Sequence, residues 1–495
     1  MTFARIFARG CIGTRAPLVS VEVFISRGIP SLSMVGLPQT AVRESKDRVR
    51  SALLHAGFEF PKYRVVVNLG PADLPKEGGR YDLAIAIGLL AASQQIPTQD
   101  LERYEFIGEL SLSGDIRSTN SVLPASLACQ NANRLLILPY DNLNEARLCT
   151  SASNHGAKTL QEVCQYLAGT GLLYQAPYLP PLAQKYDKDM NEVQGQPFPR
   201  RALEIAAAGR HHLLMIGSPG SGKTMLAERL SSIQPSLTLE ESFEIATLYS
   251  CKGLWDHTLW GQRPFRSPHH SSSSVALVGG GSKPMPGEIS LAQHGVLFLD
   301  ELPEFDRRAI EVLREPLESR SITLARAAYQ ITYPAAFQLV AAMNPCPCGY
   351  KDDPHRACEC NPDIIARYRA KLSGPLLDRI DLQVRVPPIE YKVLLKHTTT
   401  SESSADIQVR VERAAQIQLL RQGCYNAQLS PKHFPTHAAM SEEATQFLLK
   451  AANRLYLSAR GVHRVIRVGR TIADLNQSLN MTQQHLSEAL AFRLD

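Results

Sequence analysis

A chain of 495 residues, 44% apolar and 20% charged, has the composition of a folded globular protein of about three domains and excludes global disorder. No apolar run approaches the ~18 residues that a membrane-spanning helix needs. The first nine residues alternate like a strand and lack a signal-peptide core, so a cytoplasmic protein with no membrane partner is expected. The net charge of +6 permits an anionic partner without requiring one. Of ten cysteines, six stand alone (Cys11, Cys129, Cys149, Cys164, Cys251, Cys424) and read as reduced, buried small side chains; four cluster.

Ser20–Ser26 and Tyr63–Leu69 alternate as strands, Ala41–Ala56 reads as an amphipathic helix stopped at Gly57, and Leu83–Ala92 is apolar nearly all round, as in a buried helix. These features predict an α/β domain over residues 1–170. The stretch Leu74-Pro-Lys-Glu-Gly-Gly-Arg-Tyr-Asp82, followed by Gly108-Glu-Leu-Ser-Leu-Ser-Gly114, resembles the proteolytic domain of Lon-type proteases. Where that family carries its catalytic serine this chain has Arg80, and near the family's lysine it has Leu123. Without a hydroxyl nucleophile and a lysine base there is no dyad to activate. The resemblance therefore implies the Lon-like fold in an inactive form, used as a scaffold, an oligomerisation element or a DNA contact. Residues 171–199, with little periodicity, read as a linker.

The next module is expected over residues 200–390. Leu213–Ile216 is a short apolar strand, and it runs into Gly217, Ser218, Pro219, Gly220, Ser221, Gly222, Lys223 and Thr224, after which a helix begins. This is a complete GxxxxGK[ST] phosphate loop: glycines let backbone N–H groups curl around phosphates, Lys223 reaches the β- and γ-phosphates, and Thr224 ligates Mg²⁺. Gly295-Val-Leu-Phe-Leu-Asp-Glu301 delivers two carboxylates from the end of a buried strand. Asp300 is expected to hold the Mg²⁺ of bound ATP through water, and Glu301 to polarise the attacking water. The apolar strand Phe337–Met343 ends in Asn344, an amide placed to bond both γ-phosphate and water.

Other segments carry a resemblance to AAA+ ATPases. Val193-Gln-Gly-Gln196, before an expected helix over Arg201–Ala208, is similar to the turn that cups adenine in that superfamily. Asn344 stands at the sensor-1 position. Arg379, in Ser373-Gly-Pro-Leu-Leu-Asp-Arg-Ile-Asp381, matches the arginine finger of the branch containing MCM helicases and magnesium chelatase, and so implies a ring, a homo-hexamer. The resemblance assigns Arg460 as the sensor-2 arginine, with Arg464 and Arg467 as competing choices. Between the nucleotide motifs lies a Gly/Pro-punctuated excursion from Pro264 to Ser290. A helix is expected from Glu304 to Glu318, and a hairpin over Ile322–Thr332. With Met343-Asn-Pro-Cys-Pro-Cys-Gly349, these segments resemble the YifB/ComM family of magnesium-chelatase-like AAA+ proteins over nearly the whole chain.

That resemblance implies a hexameric ATP-dependent helicase promoting branch migration as transforming DNA recombines into the chromosome. Its partners would be single-stranded and branched DNA and recombination proteins. Lys283 and Arg326 are candidates for phosphate contact, with plain exposed charges as the alternative. His269 and His270 are weaker candidates for metal ligands. Cys346, Cys348, Cys358 and Cys360, with His355 between them in the loop 344–362, favour a structural Zn²⁺ over a disulfide in a cytosolic protein. Residues 391–495 show four helical periods (Val409–Gln422, Ser441–Leu457, Arg460–Leu479, Thr482–Leu494) and read as a helical lid. The fold class expected is thus α/β: an inactive Lon-protease-like domain, an AAA+ αβα core and a helical lid. One rival function is a chelatase-type protein remodeller that does not act on DNA, against which the N-terminal domain speaks, since the chelatase ATPase subunit lacks one. The other, an ATP-binding scaffold, would predict a broken hydrolysis site.

Overall fold

The computed structural model describes residues 2–35, 40–76, 78–149, 154–182, 186–281, 284–325, 330–351, 353–354, 356–389 and 401–493, with the side chains of 40–43 left out. The chain divides into two compact units, Met1–Leu182 with Phe243–Trp260, and Ala183–Ser242 with Gly261–Asp495. Among the described residues no helix is long and apolar enough to cross a membrane.

The first unit is built on a seven-stranded mixed sheet. Its strand order is Ser31–Val35, Arg64–Gly70, Leu18–Ser26, Thr2–Arg9, Tyr104–Phe106, Leu135–Pro139, Asn154–Ala157. Alternation along Leu18–Ser26 puts Val19, Val21, Val23 and Ile25 into the core. Against this face lies the helix Asp82–Ala92, all eleven residues of which are buried, as an all-round apolar helix requires. The strand Thr2–Arg9 alternates only in its first half; its last four residues are all buried. Of the six solitary cysteines, Cys129, Cys149, Cys164 and Cys251 are buried, whereas Cys424 is half-buried and Cys11 is exposed, its Sγ 3.0 Å from Ser121 Oγ. The expectation of burial therefore fails for those two.

Phe243–Trp260, inside the sequence range expected for the ATPase core, folds with the first unit. The reason is aromatic burial: Phe243, Ala246, Trp255 and Trp260 pack with Leu123, Leu148 and Cys149, and Trp260 Nε1 donates to Leu179 O at 3.0 Å. Leu123 is fully buried there.

Arg80 is a buried clamp. Its Nε donates to Arg9 O at 2.9 Å, Nη1 to Asn120 O at 2.5 Å and Nη2 to Ser121 O at 3.0 Å. Three carbonyls from two segments thus share one cation, and each would lose its donor on truncation. Arg80→Ala is expected to destabilise the first unit by about 3 kcal/mol, measured as a fall in the urea midpoint. An unchanged midpoint would mean that water replaces the guanidinium.

The second unit carries a five-stranded parallel sheet in the order Phe265–Arg266, Val296–Leu299, Gln338–Met343, Leu213–Ile216, Leu382–Arg385. Val296–Leu299 and Gln338–Met343 are buried throughout, as a sheet covered on both faces demands. The helix expected from Glu304 to Glu318 is in fact two short ones, Arg307–Glu311 and Arg314–Ser319. Pro316 explains the break, since its ring clashes with the carbonyl four residues back, at Val312. The expected hairpin forms between Ser321–Ala325 and Gln330–Pro334. The C-terminal helices are Ser404–Gln422, Glu442–Arg454, Ala459–Leu475 and Gln483–Ala491. Ser441 and Ser458 cap the second and third through bonds from Ala444 N and Gly461 N. The third helix is tied to the sheet by a buried relay in which His211 bridges Thr471 Oγ1 at 2.7 Å and Asp381 Oδ2 at 2.9 Å.

Candidate nucleotide site

The phosphate loop leaves the strand Leu213–Ile216 and enters the helix Lys223–Ile233. Gly217 has to be glycine, because a Cβ there would stand 2.3 Å from Val386 O. Gly220 and Gly222 adopt φ +77° and +88°, values that side chains rarely tolerate. Gln196, itself at φ +53°, steadies the loop from outside, its Nε2 donating to Ser221 O at 2.7 Å and to Pro387 O at 3.0 Å.

Lys223 is 8% exposed. Its Nζ donates to Gly217 O at 2.8 Å, Ser218 O at 3.0 Å and Asn344 Oδ1 at 3.2 Å. Burial lowers the pKa of this ammonium, while Asp300 and Glu301 pull it the other way. An under-compensated cation in a loop of backbone amides is a receptor for an anion. Thr224 Oγ1 donates to Asp300 Oδ2 at 2.9 Å, so a hydroxyl and a carboxylate converge at one side of the loop. Oxygen donors of this kind suit Mg²⁺, which prefers one or two protein ligands completed by water and phosphate. Glu301 N donates to the other oxygen, Asp300 Oδ1, at 2.9 Å. This backbone bond accompanies φ +51° at Glu301, an uncommon left-handed conformation. The two carboxylates thus have separate settings, one facing Thr224 and the other 53% exposed.

Arg379 and Arg460 sit elsewhere. Both line a cavity of about 340 Å³ that also includes Arg210, Arg320, Arg464 and Arg467, and to which no phosphate-loop residue contributes. Arg379 bonds Pro375 O and Glu318, each at 2.6 Å. Arg464 is committed to Leu377 O, Ile380 O and Asp378, and Arg467 to Leu429 O. Arg460 is exposed.

The thiols of Cys346, Cys348, Cys358 and Cys360 all lie within 4.8 Å of one another. Cys346 and Cys348 are 3.3 Å apart, and each is 3.6 Å from Cys358. A disulfide needs about 2.05 Å, whereas four sulfurs around a tetrahedral Zn²⁺ at ~2.3 Å stand about 3.8 Å apart. Backbone amides of Cys348 and Lys351 point at the Sγ atoms of Cys360 and Cys346 at 3.4 and 3.3 Å. The donor set therefore fits a metal ion. His355, Lys283 and Arg326 lie outside the described residues. His269 and His270 join no metal-holding group among the described residues. Instead the two rings stand 4.1 Å apart, and His270 Nδ1 is 3.5 Å from Glu301 Oε2. Sequence spacing held no signal for that last contact.

Three family models match the chain: magnesium chelatase, subunit ChlI, over residues 189–394; subunit ChlI of Mg-chelatase over 21–142; and the ChlI C-terminal model over 401–493. Competence protein ComM of Haemophilus influenzae is 46% identical over 499 residues, covering all of this chain and 98% of the relative. Protein YifB of Escherichia coli is 45% identical over 494 residues, covering all of this chain and 97% of YifB. DNA replication licensing factor Mcm6 of Drosophila melanogaster is 26% identical over 231 residues, 42% of this chain and 25% of Mcm6.

Proposed function

The chain belongs to the magnesium-chelatase-like family that includes competence protein ComM and YifB, and from that premise we propose that it is an ATP-hydrolysing motor acting on single-stranded and branched DNA. The observation that carries the ATPase part is the convergence of Lys223, Thr224, Asp300, Glu301 and Asn344 at neighbouring strand ends. ATP is the substrate: the loop amides and Lys223 hold its phosphates, Thr224 and Asp300 hold Mg²⁺, and Asn344 orients the γ-phosphate. When bound, Mg²⁺ neutralises charge on the transferring phosphoryl group. Glu301 accepts the proton of the attacking water.

Arg379 and Arg460 complete the site of a neighbouring copy. Their cavity, rich in arginine and free of phosphate-loop residues, supports that reading, and it makes a ring, a homo-hexamer, the working form. Arg460 is the sensor-2 residue, since Arg464 and Arg467 already hold backbone carbonyls. The N-terminal unit is a Lon-like scaffold with Arg80 in place of the nucleophile, and the four-cysteine loop holds a structural Zn²⁺. The DNA part rests on the likeness to ComM, named a competence protein; branch migration during recombination in natural transformation is the role it points to, with recombination proteins as partners.

The rival is a chelatase-type remodeller. Since a ChlI model also matches residues 21–142, the N-terminal region does not set the chain apart from that subunit. Turnover does. ATP hydrolysis by the purified oligomer is expected to rise about threefold or more with single-stranded or three-way branched DNA, as for motors that grip the phosphate backbone. Hydrolysis indifferent to DNA but responsive to a porphyrin would replace the motor with the remodeller.

A further inference from the structure

We propose that the four-cysteine loop braces the phosphate loop, so that nucleotide affinity depends on the metal ion the cysteines hold; the inference deepens the zinc reading above and rests on it. The contact is Gly349. It follows Cys348, is buried, and adopts φ +86°. A Cβ added to it would lie 2.5 Å from Cδ and 2.7 Å from Cγ of Pro219. The backbone of the cysteine loop thus stands directly behind the proline at the crest of the phosphate loop, with no room for a methyl group between them.

The same segment grips the phosphate loop at two further points. Gly217 N donates to Met343 O at 3.2 Å, and Lys223 Nζ donates to Asn344 Oδ1. The start, crest and lysine of the loop therefore all lean on residues 343–349. The supports at the start and at the lysine belong to the sheet, because Met343 ends a buried strand. The support at the crest, Gly349 against Pro219, has no such anchor. Among the described residues from Cys346 to Cys360 there is neither helix nor strand, and an irregular segment of that length needs a cross-link to keep one shape.

The cysteines are positioned to supply it. Gly349 N donates to Cys346 O at 2.9 Å, closing a turn in which Cys346 and Cys348 carry the Sγ atoms that face Cys358. Without a cation, four sulfurs at this spacing have only weak thiol hydrogen bonds to keep them together. The turn would then open, and Pro219 would lose its wall. A looser phosphate loop must be ordered when the nucleotide arrives, and affinity falls by that ordering cost.

The test uses the full-length oligomer purified under reducing conditions. Elemental analysis is expected to find about one zinc per chain. Stripping with a zinc-selective chelator, followed by saturation with Mg²⁺, should raise Kd for a fluorescent ATP analogue about tenfold or more, and added zinc should restore it. Gly349→Ala keeps all four thiols, so it should retain the zinc and show a similar rise. This variant carries the test if the stripped protein loses its circular dichroism. Stoichiometric zinc with Kd unchanged within about twofold, both on stripping and in Gly349→Ala, would overturn the brace and leave the zinc reading standing. Protein without zinc even after growth in zinc-supplemented medium would overturn both.

Discussion

Glu301→Gln is expected to lower ATP turnover by about 10²–10³-fold while leaving nucleotide affinity within about twofold. The asymmetry follows from the two carboxylates at the end of the strand Val296–Leu299. Asp300 faces Thr224 and the phosphate side, so its loss should weaken binding of the metal–nucleotide complex. Glu301 takes no part in holding the loop. Its backbone N is bonded to Asp300 Oδ1, and its side chain is left more than half exposed. Glutamine keeps the shape, but it has no lone pair basic enough to accept the proton of the attacking water. Steady-state hydrolysis and equilibrium binding of a labelled nucleotide, measured on the same preparation, separate the two quantities. Turnover within about threefold of the unaltered chain would move the base to another residue, and His270, whose Nδ1 is 3.5 Å from Glu301 Oε2, would be examined first.

The phosphate loop was legible because its chemistry dictates residue types at fixed short spacing, and short spacing survives folding unchanged. Gly217 and Gly222 had to be glycine for reasons of backbone conformation and close approach that the pattern itself encodes. The cysteine cluster was legible for a similar reason, two tight pairs in one loop. What escaped were contacts between segments far apart in sequence. Nothing in the residues near His270 announces Glu301, and nothing near Gly349 announces Pro219, because both pairings depend on the order of parallel strands. The fate of Phe243–Trp260 was hidden too. Its aromatic residues signal burial but not which of two hydrophobic cores receives them. The run from Glu304 to Glu318 differs for a simpler reason: one continuous helix is expected there, and Pro316 divides it into two.

Two inactive variants should rescue each other when mixed. Lys223→Ala removes the buried ammonium from the phosphate loop, and Arg379→Ala removes the guanidinium from the arginine-rich cavity; each alone is expected to abolish all but about 1% of turnover. If the cavity serves the neighbouring copy, an interface between an Arg379→Ala chain supplying the phosphate loop and a Lys223→Ala chain supplying the arginine is intact. In a closed ring every site lies at a head-to-tail junction of this kind. Random 1:1 mixing makes each half intact with probability one half, so about one quarter of the junctions, and up to about that fraction of activity, should return. To serve the neighbouring site Arg379, 13% exposed at its side chain, must leave Pro375 O and the 58% exposed Glu318, and a phosphate, which takes a guanidinium in charge-assisted bidentate bonds, is the stronger partner. Arg460→Ala should complement Lys223→Ala in the same way. Arg464→Ala should complement too, because losing its bonds to Leu377 O, Ile380 O and Asp378 disturbs only the frame that carries Arg379, a face that the Lys223→Ala chain supplies intact. Turnover in the mixture no higher than the sum of the separate variants would mean that Arg379 acts within its own chain, and the ring would lose its mechanistic necessity.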